Sequence, residues 1–94
     1  MKIRKREILD EFAVKHADIR SALQRWVSIV EEADWKSHND LKIDFPSADY
    51  VNNEKYVFNI RGNKYRLVVV VIFIAGLLSV EFVGTHAEYS KLKL

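Results

Sequence analysis

The 94-residue chain has no cysteine, which excludes a disulfide framework and a thiolate zinc site. It has no long hydrophobic run either. The uncharged stretch 67–78 falls well short of the ~20 residues that a spanning helix needs, and its valines favour a buried strand. The basic start Met1–Glu7 leads into no apolar segment of the kind a secretory signal carries. No GxGxxG, P-loop, HExxH or paired-Cys spacing occurs, so nucleotide-binding and catalytic-zinc readings have no support. Repeats, low-complexity tracts and linkers are absent too. A reducing, cytoplasmic setting fits, and nothing calls for a cofactor or a metal.

What is present suits one compact domain spanning 1–94, since 49% of the residues are hydrophobic and 12% aromatic. The net charge of +2 is mild and by itself does not point to nucleic acid. Its distribution is more informative. Residues 1–44 balance nine Lys/Arg against nine Asp/Glu, whereas residues 45–94 hold six against four. The excess lies in the half that contains Val57–Arg66.

That stretch reads as a strand, a tight turn and a second strand. Gly62-Asn63 is the turn signal, because both residue types tolerate the positive φ of two-residue hairpin loops. With that loop Ile60 faces Tyr65, Asn59 faces Arg66 and Phe58 faces Leu67. Alternation puts Asn59, Arg61, Lys64 and Arg66 on one face and Phe58, Ile60, Tyr65 and Leu67 on the other. Three cations then share a patch with no acid between them, which suits an anion.

Along the chain, Met1–Ile3 reads as a short edge strand or a frayed end. Ile8, Leu9, Phe12 and Ala13 recur at helical spacing within 5–16. Lys2, Arg4, Lys5 and Arg6 read as a solvated helix start. Asp18 is the expected N-cap of a second helix, whose stripe of Ile19, Ala22, Leu23, Trp26, Val27, Val30 and Ala33 faces the core. A loop or short helical turn follows and ends before Pro46. Lys36, His38 and Lys42 in it read as surface residues. Asp49–Val51 and Tyr56–Ile60 pair through the turn 52–55. The central strand 65–74 returns through Ala75-Gly76 to Leu77–Val83. That register pairs Phe73 with Leu78, Val70 with Glu81 and Arg66 with Thr85, so Asn59, Arg66 and Thr85 form one row. Gly84 turns the chain into a final short helix. Thr85-His86-Ala87-Glu88 is a capping-box pattern, and His86 and Tyr89 share a helix face. The N-terminus of that helix would bring N–H donors to the Arg66 corner.

The expected fold is therefore α+β, with helices on a small antiparallel sheet and an anion site formed by Lys64, Arg66, His86 and Tyr89. Asn59, Arg61 and Asn63 lie at its margin as substrate contacts. Such a set can serve RNA cleavage without a metal. Cations stabilise a pentavalent phosphorane, and histidine exchanges protons near neutral pH. Tyr89 could stack on a base, orient a hydroxyl or transfer a proton.

The blocks Gly62-Asn63-Lys64-Tyr65-Arg66 and Gly84-Thr85-His86-Ala87-Glu88-Tyr89 carry a resemblance, together with Ala33-Asp34-Trp35-Lys36 and Asp44-Phe45-Pro46-Ser47-Ala48-Asp49. In this order they resemble the HigB-type toxins of bacterial toxin–antitoxin modules, within the RelE-like group. The resemblance implies a ribosome-dependent messenger-RNA endoribonuclease (an mRNA interferase) and a HigA-like helix-turn-helix antitoxin as partner. It implies contact with ribosome and mRNA, and with DNA only through the antitoxin. Lys64 and Arg66 resemble the transition-state cations, and His86 and Tyr89 the acid–base pair, with their individual roles open. Two features depart from the pattern: the apolar tip 74–78, and Glu81 where relatives are often basic. Both remove positive charge, and the motivated alternative is a non-catalytic toxin that binds antitoxin or RNA without cutting. A stand-alone DNA-binding regulator finds no recognition helix.

Overall fold

In the computed structural model, residues 1–92 are described. The chain forms β1 (Lys2–Arg4), α1 (Glu7–Lys15), α2 (Arg20–Glu32), α3 (His38–Asp44), β2 (Asp49–Tyr50), β3 (Lys55–Ile60), β4 (Tyr65–Ile72), β5 (Leu77–Thr85) and α4 (His86–Ser90). The five strands make one sheet in the order β1-β5-β4-β3-β2, with β1 parallel to β5 and the other pairs antiparallel. Met1–Ile3 is thus no frayed end, because β1 closes the β5 edge. The α+β expectation holds.

Helical spacing explains the first layer. The stripe Ile19, Leu23, Trp26, Val27 and Val30 is buried on α2, and Leu9 and Ala13 are buried on α1. They meet Tyr56, Phe58, Ile60, Tyr65, Leu67, Val69 and Val71, which alternate onto the same sheet face. Trp26 meets Phe58 edge to face at 5.5 Å, and Phe12 meets Tyr65 likewise at 5.5 Å. Ser37 caps α3 through its hydroxyl, and the helix ends at Phe45, one residue before the proline, as expected.

Three local expectations are corrected. Asp18 does not cap α2. It lies in a 3-10 turn, Ala17–Ile19, and its carboxylate leaves the helix end for the sheet. The hairpin of β3 and β4 keeps its register, with Asn59 opposite Arg66 and Ile60 opposite Tyr65. Its left-handed residues, however, are Arg61 and Gly62 rather than Gly62 and Asn63. The second hairpin slips. Phe73–Ala75 coil into a 3-10 turn closed by left-handed Gly76, so β4 stops at Ile72 and pairs Ile72 with Leu77. A bulge at Glu81 then recovers one of the two lost positions, because Val69 pairs with Val80 and Val68 with Phe82. Arg66 therefore faces Gly84, not Thr85.

The bulge decides what lies on the other face of the sheet. It sends Val83 into the core and Phe82 to the side that carries Arg66. Gly84 is not a turn residue, since it continues β5 into Thr85. Its requirement is space: a Cβ there would sit 2.5 Å from the Phe82 ring and 3.0 Å from Glu88. That gap lets α4 fold back across the second face.

Candidate active site

Three adjacent strands supply the floor. Asn59 of β3, Arg66 of β4 and Gly84 of β5 form one row on the face away from α1–α3. Arg66 is half-buried, and its guanidinium carbon stands 4.7 Å from the centre of the Tyr89 ring. The partner that a lone arginine in an apolar strand requires is thus an aromatic face. Arg66 makes none of the ion pairs formed among the described residues. Among the described residues its buried Nε has no hydrogen-bond partner, and the buried Oδ1 of Asn59, across the strand pair, has none either. Buried polar atoms left unpaired are costly and uncommon, Trp26 Nε1 in the core being the other one among the described residues. An arginine whose charge is not spent on a carboxylate remains available to phosphate oxygens.

The capping box fixes α4 against this floor. The Thr85 hydroxyl accepts from the Glu88 N–H at 3.2 Å, and the Glu88 carboxylate accepts from the Thr85 N–H at 2.8 Å. Those bonds hold the Glu88 carboxyl below its usual range, chiefly through the backbone N–H. They also correct an expectation, because a carboxylate already occupies the end of α4 that was expected to offer donors to an anion. The same short helix carries Tyr89, half-buried on Arg66, and His86, exposed at its first turn.

Lys64 and Arg61 lie elsewhere. Positive φ at Arg61 and Gly62 turns the hairpin tip toward the helical side. There Asp18 accepts from Lys64 Nζ at 2.6 Å, Arg61 Nη1 at 2.8 Å and the Tyr65 hydroxyl at 2.7 Å. The patch of three cations without an acid is therefore divided, with two sharing the single carboxylate of Asp18 and Arg66 outside that pairing. Asn63 is exposed at the tip. Glu81, the departure in charge, pairs with Lys5 at 3.5 Å. The apolar tip is exposed mainly through Ile74, which is 98% accessible.

Sequence reasoning missed Asp18 as a partner of the hairpin, since no local pattern announces a contact across 43 to 47 residues. The Lys64 ammonium, followed by the Tyr65 hydroxyl, lowers the Asp18 carboxyl from 3.8 to about 2. A depressed acid of this kind stabilises the fold above its unfolded pKa and loses that contribution as pH falls through the folded one. Between pH about 4 and about 2, acid unfolding of the wild type should thus include a component that Asp18→Asn lacks. Circular dichroism of both proteins across that range checks it.

Residues 19–92 match the profile of the HigB toxin family, described as a RelE-like toxic component of a toxin–antitoxin system. The mRNA interferase HigB of Escherichia coli O6:H1 is 28% identical over 85 residues, covering 88% of this chain and 82% of the relative. The mRNA interferase toxin HigB of Escherichia coli K12 is 31% identical over 83 residues, covering 86% and 80%. A Shigella flexneri mRNA interferase HigB is similar to the same extent, 31% over 83 residues. With a RelE-like arrangement of helices on a small sheet and a profile match from α2 to the C-terminal helix, the chain belongs to the HigB family of toxin–antitoxin toxins.

Proposed function

We propose that this toxin is an mRNA interferase that cuts message on translating ribosomes with the face formed by Asn59, Arg66, His86 and Tyr89. The observation that carries the reading is Arg66: half-buried, packed over the Tyr89 ring and, among the described residues, without a carboxylate partner and with an unpaired Nε. The relatives named mRNA interferase supply the substrate class.

In the proposed reaction the 2′-hydroxyl of the message attacks the adjacent phosphorus. The O–P bond to the 5′-oxygen breaks, leaving a 2′,3′-cyclic phosphate and a 5′-hydroxyl. Arg66 stabilises the charge that builds on the phosphorane oxygens. His86, exposed and free to meet the substrate, exchanges one of the two protons, that which leaves the 2′-hydroxyl or that which reaches the 5′-oxygen, and solvent water exchanges the other. Tyr89 holds the guanidinium against the face of its ring. Lys64 is the second cation once it leaves Asp18, and Arg61, Asn63 and Asn59 contact the RNA around the scissile phosphate. The partners are the ribosome, mRNA and a HigA-like helix-turn-helix antitoxin, which alone reaches DNA. The setting is the cytoplasm, and the domain spans the whole chain.

Product analysis tests the chemistry. Cleaved message should carry a 2′,3′-cyclic phosphate, and a 2′-deoxy substitution at the cut site should block the reaction. Efficient cleavage of the deoxy substrate would refute attack by the 2′-hydroxyl. The clamp role of Tyr89 makes a separate prediction. Tyr89→Phe keeps the ring on Arg66 and should hold kcat within about tenfold, whereas Tyr89→Ala should lose roughly 10²-fold, the scale of a mispositioned charge. Equal losses in both variants, measured by single-turnover cleavage, would place the hydroxyl rather than the ring in the reaction.

A further inference from the structure

Strand alternation assigns Lys64 to the Arg66 face, yet its ammonium lies on the opposite side, on Asp18. The acceptor is well fixed at both ends. Ile19, its neighbour, is fully buried beneath α2, and the Tyr65 hydroxyl that holds the other carboxylate oxygen belongs to a ring only 2% exposed. The cations are the more exposed partners, since the side chains of Lys64 and Arg61 are each about half accessible, at 54% and 50%, against 32% for Asp18. Both bind the same oxygen, Oδ2, at 2.6 and 2.8 Å. Two like charges converging on one oxygen is an arrangement that a second anion relieves. A phosphodiester offers such an anion, with geometry suited to guanidinium and ammonium alike.

We infer that Asp18 is a positioning residue for Lys64: it parks the ammonium off the Arg66 face in the free toxin and gives it up to an RNA phosphate. The inference rests on the reading of Lys64 as a phosphate-facing cation. Because the ion pair is exposed, the exchange is easy, and parking lowers RNA affinity by only a small factor. It also keeps the hairpin cations from gripping phosphate wherever they meet it. Asp18 thus favours RNA that also engages Arg66 over RNA that merely touches the tip.

The test is a double-mutant cycle of Asp18→Asn and Lys64→Ala, read as binding of a 2′-O-methyl RNA oligonucleotide that cannot be cleaved. Asp18→Asn should tighten binding roughly two- to fivefold, the scale of one exposed ion pair. That gain should shrink in the Lys64→Ala background. No gain, or the same gain without Lys64, would overturn the inference. Wild-type protein gives a second readout that does not depend on the variants folding. The ¹⁵N–¹H signal of the Lys64 ammonium, sharpened by its bond to Asp18, should shift as the RNA saturates the protein. A signal unmoved at saturation would also overturn it. Cleavage of message by the same preparations is scored separately. Coupling without cleavage would keep the parking contact and remove the nuclease, and cleavage without coupling would do the reverse.

Discussion

Arg66→Ala should abolish message cleavage while leaving a folded toxin. In the free protein the guanidinium packs over the Tyr89 ring and forms no ion pair among the described residues. Its loss therefore removes little native structure, and the strand keeps its neighbours Leu67 and Tyr65 in the core. The effect falls on the transition state. A positioned donor to a developing oxyanion is commonly worth 10²–10³ in rate, and a full charge lies at the upper end of that range. Arg66→Lys should restore little, since ammonium neither stacks flat on Tyr89 nor forks to two oxygens. Single-turnover cleavage beside a thermal melt separates the two effects. A melt lowered as much as the rate would mean that Arg66 is structural.

Leu67→Ala should act in the opposite way, leaving the site chemically whole and the fold damaged. Leu67 is fully buried in β4, between Phe58 and Val83 on the neighbouring strands. Truncating such a leucine costs about 2–5 kcal/mol, transfer and cavity terms together. A domain this size has only about 5–15 kcal/mol to lose. Urea denaturation should show a lower midpoint with an unchanged slope. A loss under 1 kcal/mol would mean that the helices collapse onto the vacated space far more freely than their close packing suggests.

These two variants separate what was legible in the sequence from what was not. Helices α1 and α2 could be read because their apolar residues recur on one face, and tertiary packing follows that stripe. The first hairpin could be read because Gly62 marks the turn and each flanking strand alternates cleanly. Arg66 stood out as a charge in an apolar strand, and Thr85 and Glu88 stood out as a capping pair. The second hairpin could not be read. Phe73, Ile74 and Ala75 carry no signal that separates a 3-10 turn from two more strand residues, and a bulge at Glu81 has no composition of its own. The resulting slip moved Thr85 out of the Arg66 row and put Gly84 there. Asp18 was legible only as a cap, because its partners lie in another part of the chain and its role appears once α2 packs beside the first hairpin. Alternation likewise gave Lys64 the wrong side, since it takes no account of left-handed backbone at Arg61.

The most direct measurement is primer-extension mapping of mRNA 5′ ends after induction of the wild type and of Arg66→Ala, with translation running and with translation blocked. The predicted result is new ends in the wild type only, and only while ribosomes translate. The same ends from Arg66→Ala, or none from a folded wild-type protein, would contradict the assignment of this face as the site that cuts message.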